Sequence, residues 1–105
     1  MVKIEFLEPA KAEFDEAIAY YENEAKGLGQ RFKREIRSSI DMIIQFPELY
    51  PIFMDAIHKC VTHTFPYTIF YTYKNKTIYI YAIANHYRDP STYIKRFYEA
   101  GEEDI

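Results

Sequence analysis

The sequence predicts an α+β domain, in which an N-terminal strand leads into a two-helix hairpin packed on a mainly antiparallel sheet. A C-terminal β-meander and a short last helix complete it. Three observations carry this. Apolar residues recur at three- and four-residue spacing through the first half of the chain. Two runs rich in β-branched and aromatic residues fill the second half, and the polar turn KNK joins them.

The elements follow in order. In VKIEF, Val2, Ile4 and Phe6 alternate with Lys3 and Glu5, the period of a half-buried strand. Pro9 stands where a first helical residue is expected, since its missing N–H leaves nothing unsatisfied there. Phe14, Ala17, Ile18, Tyr21 and Ala25 then mark an amphipathic helix whose other faces are acidic. The glycine turn KGLGQ brings in an antiparallel second helix with Leu28, Phe32, Ile36, Ile40, Ile43 and Ile44 on one stripe. Pro47 ends it. Arg31, Lys33, Arg34 and Arg37 on its outer face are expected to answer the acids of the first helix. PELYPIFMDA (47–56) reads as a connection. Residues 57–64 read as extended, 65–73 and 77–85 as a central hairpin, and 90–98 as the last helix, capped by Asp89.

At 105 residues the chain has room for one core. We expect a single domain over residues 1–98 and an acidic, solvating tail, EAGEEDI, over 99–105. The net charge of −3 conceals an uneven distribution, because residues 57–98 carry six Lys/Arg against one acid. That basic stretch suits phosphates or an acidic protein partner. One cysteine, Cys60, excludes an intramolecular disulfide and fits a reduced, cytoplasmic compartment. It reads as a small buried hydrophobe. The N-terminus has no long apolar run, so neither a signal peptide nor a membrane span is expected.

AIANHYRDP (82–90) concentrates the candidate chemistry. His86 offers an imidazole, the side-chain type most used to pass protons, and Arg88 has a planar fork that matches a phosphate. Each also has a plainer reading, His86 as a strand-end residue and Arg88 as a local partner of Asp89. Tyr67, Tyr71, Tyr79 and Tyr81 read as core and sheet-surface packing. His58 and His63 are placed on opposite faces of a strand, which argues against a shared metal.

The order of elements and several motifs resemble the RelE/ParE superfamily of toxins from bacterial type II toxin–antitoxin pairs. FPYTIFY (65–71) is similar to the family's second-strand pattern, and ANHYRDP (84–90) to the end of its last strand. AIAYY (17–21) and GLGQRF (27–32) resemble its first helix and turn. The resemblance spans about residues 3–97 and implies no metal and no cofactor. It implies a cytoplasmic plasmid-stabilisation toxin, neutralised by a cognate antitoxin that wraps the helices and sheet.

Two activities live in that superfamily. The RelE-like branch cleaves mRNA on the ribosome, which would make His86, Arg88 and Tyr93 catalytic. The ParE-like branch poisons DNA gyrase by binding. Thr68 stands where the nucleases resemble one another in having an arginine, so one transition-state cation is missing. The ParE-like reading is therefore preferred, with Lys59, His63, Tyr67, Tyr87 and Arg88 as target- or partner-binding residues. An inactive, toxin-like binding module is the third reading. With its partner surfaces open, the chain alone is expected to self-associate.

Overall fold

The computed structural model describes residues 1–103, with side chains through Glu99. Strand β1 (Lys3–Phe6) leads into helix α1 (Glu8–Glu24), and helix α2 (Leu28–Gln45) returns antiparallel to it. Strands β2 (Ile52–Met54), β3 (Ile57–Val61), β4 (Tyr67–Lys74) and β5 (Thr77–Asn85) follow, and helix α3 (Ser91–Glu103) closes the chain. The five strands form one sheet in the order β1-β5-β4-β3-β2, with β1 parallel to β5 and the other pairs antiparallel.

The hairpin of α1 and α2 turns at two glycines with different duties. Gly27 adopts a left-handed φ of 86°, which L side chains rarely occupy. Gly29 lets the helices cross closely, since a Cβ there would stand 2.6 Å from the Ile18 carbonyl oxygen. Glu22 fastens the turn by accepting the backbone N–H groups of both. The sheet's hairpin closes at Asn75 and Lys76, both with positive φ, between the paired residues Lys74 and Thr77. That is the two-residue turn favoured by strand twist.

The main core lies between the α1–α2 hairpin and one sheet face. Phe14, Phe32, Ile36 and Ile43 pack there on Tyr67, Ile69, Tyr71 and Ile78. A second, smaller core covers part of the other face, where Tyr93 and Phe97 of α3 meet Phe70, Tyr81 and Ala82.

A β-bulge links the two. Phe70 pairs with Ala82 but Tyr71 pairs with Ile80, so Tyr81 is an extra residue in β5. The bulge shifts which residues face the helices: Ile78 and Ile80 do so before it, Ile83 after it. It thereby aligns Asn85 with Ile83 and turns it toward the helix side of the sheet.

Four expectations are corrected. Ile52–Met54 lies in a strand, not a connection; it pairs with β3 at the sheet edge, where Pro51, lacking an N–H, is tolerated at its start. The sheet's last part therefore has four strands. Helix α3 runs to Glu103 instead of ending at 98, carrying the start of the acidic tail with it; residues 104 and 105 lie outside the described residues. The basic residues of α2 make no ion pair with α1; among the described residues the ion pairs are Lys11–Asp15 and Arg96–Glu13.

Candidate functional site

At the end of β5 the chain leaves the sheet through a short turn, and this turn is where the site residues gather. The His86 N–H donates to the Pro66 carbonyl at 2.9 Å, tying the turn to the start of β4. The Asn85 side chain accepts the Tyr87 N–H at 2.8 Å and donates to the Tyr67 hydroxyl at 3.3 Å. Asp89 then accepts the Ser91 N–H at 3.0 Å, as expected of a residue capping α3. That bond and one with the Ser91 side chain hold its carboxyl below the usual range.

Two cavities open on either side of this turn. One, of about 400 Å³, lies between α1 and β5 and is lined by Glu16, Tyr20, Tyr67, Asn85, Arg88 and Tyr93, among others. The other, of about 230 Å³, lies on the α3 side of the sheet. Phe53, Thr68, Phe70, His86, Arg88 and Tyr93 contribute to its walls. Asn85, Arg88 and Tyr93 line both. The Arg88 side chain is exposed and makes no hydrogen bond or ion pair among the described residues, so its cation is available to a ligand. It does not pair with Asp89, whose carboxylate is taken by Ser91.

The remaining predicted residues divide. Thr68, buried, meets His86 in a hydrogen bond, with its hydroxyl 2.8 Å from Nε2. The imidazole is thus both a strand-end residue and a lining group. Tyr93 is buried against Phe70 and stands under Arg96, whose guanidinium carbon is 5.4 Å from the ring centre. Burial, then the Glu13 charge, push its phenol up, more than a hydrogen bond with the Asn85 backbone and the charges of Arg88 and Arg96 pull it down. Tyr67 packs its ring against Tyr21 and Phe32. Tyr87 is open to solvent, at 86% exposure.

Lys59 and His63 are not brought to this turn. Lys59 is exposed on β3, paired with Phe70 across the ladder. His63 lies past the end of β3, beside Glu35 and Cys60 in a different cavity. Cys60 itself is buried in the main core, and burial pushes its thiol up. The ring of His58 stacks on Tyr71, and its Nδ1–H donates to the Tyr50 carbonyl at 2.7 Å, so His58 is occupied in structure.

The residues that hold this site in place were not legible as such. Glu13 of α1 receives two bonds from Arg96 of α3, at 3.0 and 2.8 Å, and a third from the Ile83 N–H at 3.0 Å. Arg96 donates in addition to the Tyr81 carbonyl at 3.2 Å. Strand β1 stops pairing with β5 at Ile80, so this edge of β5 beyond it has no strand neighbour. The Glu13–Arg96 pair takes the place of that strand. The available signal was position: both residues sit beside the apolar stripe of their helices, where a charge needs a partner.

The fold defined by these elements is that of the small RelE/ParE-type toxins. A family model described as the ParE toxin of the type II toxin–antitoxin system parDE matches residues 4–90. The chain therefore belongs to the ParE toxin family of type II toxin–antitoxin systems. Two solved structures share its fold. "Chromosomal ParDE TA system from P. aeruginosa" superposes with a TM-score of 0.58 at 13% identity, over 81% of this chain and 96% of that one. "Crystal structure of the isolated E. coli RelE toxin, P21 form" gives a TM-score of 0.63 at 13% identity, over 100% of both chains. No curated protein matches the sequence. No described helix is long and apolar enough to cross a membrane.

Proposed function

We propose that this toxin inhibits DNA gyrase by binding, as a ParE-like plasmid-stabilisation toxin of the cytoplasm, and is neutralised by a cognate antitoxin. One observation carries the choice of a binding mechanism. Thr68 and His86 are bonded to each other where metal-free RNA cleavage would need a second cation beside Arg88. Tyr93 is buried, with its phenol shifted up, which makes it a poor proton donor near neutrality. Arg88 and exposed Tyr87 serve as contacts to the target or antitoxin, with Tyr67 forming the wall behind them. Lys59 and His63, away from the turn, serve as further contacts to the target or antitoxin. The antitoxin covers the apolar and basic surface of residues 57–98.

Plasmid supercoiling by purified gyrase tests this reading. Loss of supercoiling on adding the chain, and its recovery with Arg88→Ala, is the expected outcome. A second reading has its own support, because His86, Arg88 and Tyr93 line one cavity. Unaffected gyrase together with new mRNA 5′ ends on induction would replace gyrase binding by RelE-like cleavage. Absence of both effects would leave an inactive partner-binding module.

A further inference from the structure

The outer faces of α1 and α2 carry opposite charge side by side. On α1, Glu8, Asp15 and Glu16 are exposed around the small residues Ala12 and Ala19; Glu8 and Glu16 have no basic partner among the described residues, whereas Asp15 is paired with Lys11 on the same helix. On α2, Arg31, Arg34 and Arg37 are exposed, and none is paired with an acid among the described residues. The helices run antiparallel, with Ile18 level with Gly29 at their close crossing. Counting back along α1 and forward along α2 from that crossing brings Glu16 level with Arg31 and the rest of the acidic stripe alongside Arg34 and Arg37. No ion pair nonetheless joins the two stripes among the described residues.

We propose that this face docks a second copy of the same chain, as a two-fold dimer of helical hairpins. The charge pattern selects both the occupant and the axis. A two-fold axis lying in the interface and parallel to the helices sets α1 of one copy over α2 of the other, at the same level and antiparallel. Each acidic stripe then meets a basic stripe, twice, as an isologous contact requires. An axis across the helices would set α1 on α1 and acid on acid. Duplex DNA, the other natural partner of a basic helix, would meet the acidic stripe of α1 alongside and be repelled by it. Ala12, Ala19 and Ser38 are small enough for the helices to approach closely at the centre.

The size of the face sets the strength. Two helices of 17 and 18 residues span roughly 26 Å at 1.5 Å per residue. With a neighbouring helix about 9 Å away, the face is near the lower end of areas that hold specific complexes. The contact is therefore a modest dimer held largely by screened charges, and salt weakens it.

Sedimentation velocity on the full chain tests this with two charge-reversed variants. The wild type is expected to dimerise in low salt, with the dimerisation constant falling about tenfold or more between 50 and 500 mM. Arg31→Glu/Arg34→Glu makes both helices acidic, and Asp15→Lys/Glu16→Lys makes both basic. Each variant alone is expected to be a monomer, whereas an equimolar mixture forms a heterodimer, because both crossed contacts become complementary again. That recovery also rules out misfolding as the cause of dissociation. A monomeric wild type in low salt overturns the proposal. So does a dimer that either variant still forms alone, or a mixture that stays monomeric. A monomeric wild type that shifts a duplex DNA oligonucleotide, with the shift lost in Arg31→Glu/Arg34→Glu, would assign the basic helix to a polyanion instead.

Discussion

Glu13 of α1 and Arg96 of α3 form a two-bond ion pair, 2.8 and 3.0 Å, across the β5 edge that β1 leaves uncovered. Between them they also satisfy the Tyr81 carbonyl, at the bulge, and the Ile83 N–H, two residues past it. The side chains are mostly shielded, with 14% and 18% of their surface exposed. The pair therefore does for two backbone groups what a sixth strand would do, and it pins α3 above the sheet.

Glu13→Ala is expected to destabilise the chain by about 3 kcal/mol, because it strands a largely buried guanidinium and an amide together. Arg96→Ala should cost a similar amount. Replacing both, as Glu13→Leu with Arg96→Met, should cost less than the sum of the two single changes, since no lone charge remains. Urea midpoints of the four proteins check this. Additive losses would mean that the two side chains act independently.

The two glycines of the turn make a paired prediction. Gly29→Ala pushes a Cβ to 2.6 Å from backbone, which has no rotamer by which to move aside, so α1 and α2 must separate. A loss of about 2 kcal/mol or more is expected. Gly27→Ala meets nothing within 4 Å and suffers only from its φ of 86°, which costs about 1 kcal/mol. Thermal unfolding of both variants separates them, and equal losses would contradict the close crossing.

Those glycines were legible only as a turn; the crossing distance is a tertiary fact. The same division runs through the molecule. The periodicity of α1 and α2 and the KNK hairpin are local signals, and their elements formed where the spacing placed them. The bulge at Tyr81 left no mark in a run that is apolar on both faces, so simple alternation could not reveal which face Asn85 would take. β2 was hidden because Pro47 and Pro51 both stand just before it and read as a connection, and a three-residue edge strand is stabilised by its partner more than by its own composition. Thr68 and His86 are 18 residues apart and meet only because β4 and β5 pair in register.

Arg88 separates folding from function most cleanly. It is exposed, and its side chain bonds to nothing among the described residues, so Arg88→Ala should change stability by no more than about 0.5 kcal/mol. The same change is expected to abolish growth arrest when the chain is induced alone in bacteria. Viable counts with wild type and variant, beside their unfolding curves, decide it. Full arrest by a stable Arg88→Ala protein would leave the turn as a strand end and helix cap.

Glu35 supplies the pH dependence. Burial alone would raise its carboxyl, but the N–H groups of Phe65 and Thr64 bond to it, and the Thr64 hydroxyl and the nearby His63 favour its charged form. Together they hold it below the usual value of 4.5. A carboxyl depressed in the fold binds its proton more weakly there than in the unfolded chain. Its stabilisation is therefore complete above about pH 4.5 and fades as pH falls through the lower, folded value. Glu35→Ala should thus cost about 1–2 kcal/mol at neutral pH, where it frees two backbone amides of the β3–β4 loop. Near pH 3 the gap between variant and wild type should narrow. Urea unfolding of both proteins across that range measures the gap directly, and a gap that stays constant would show that the Glu35 charge is not what holds the loop.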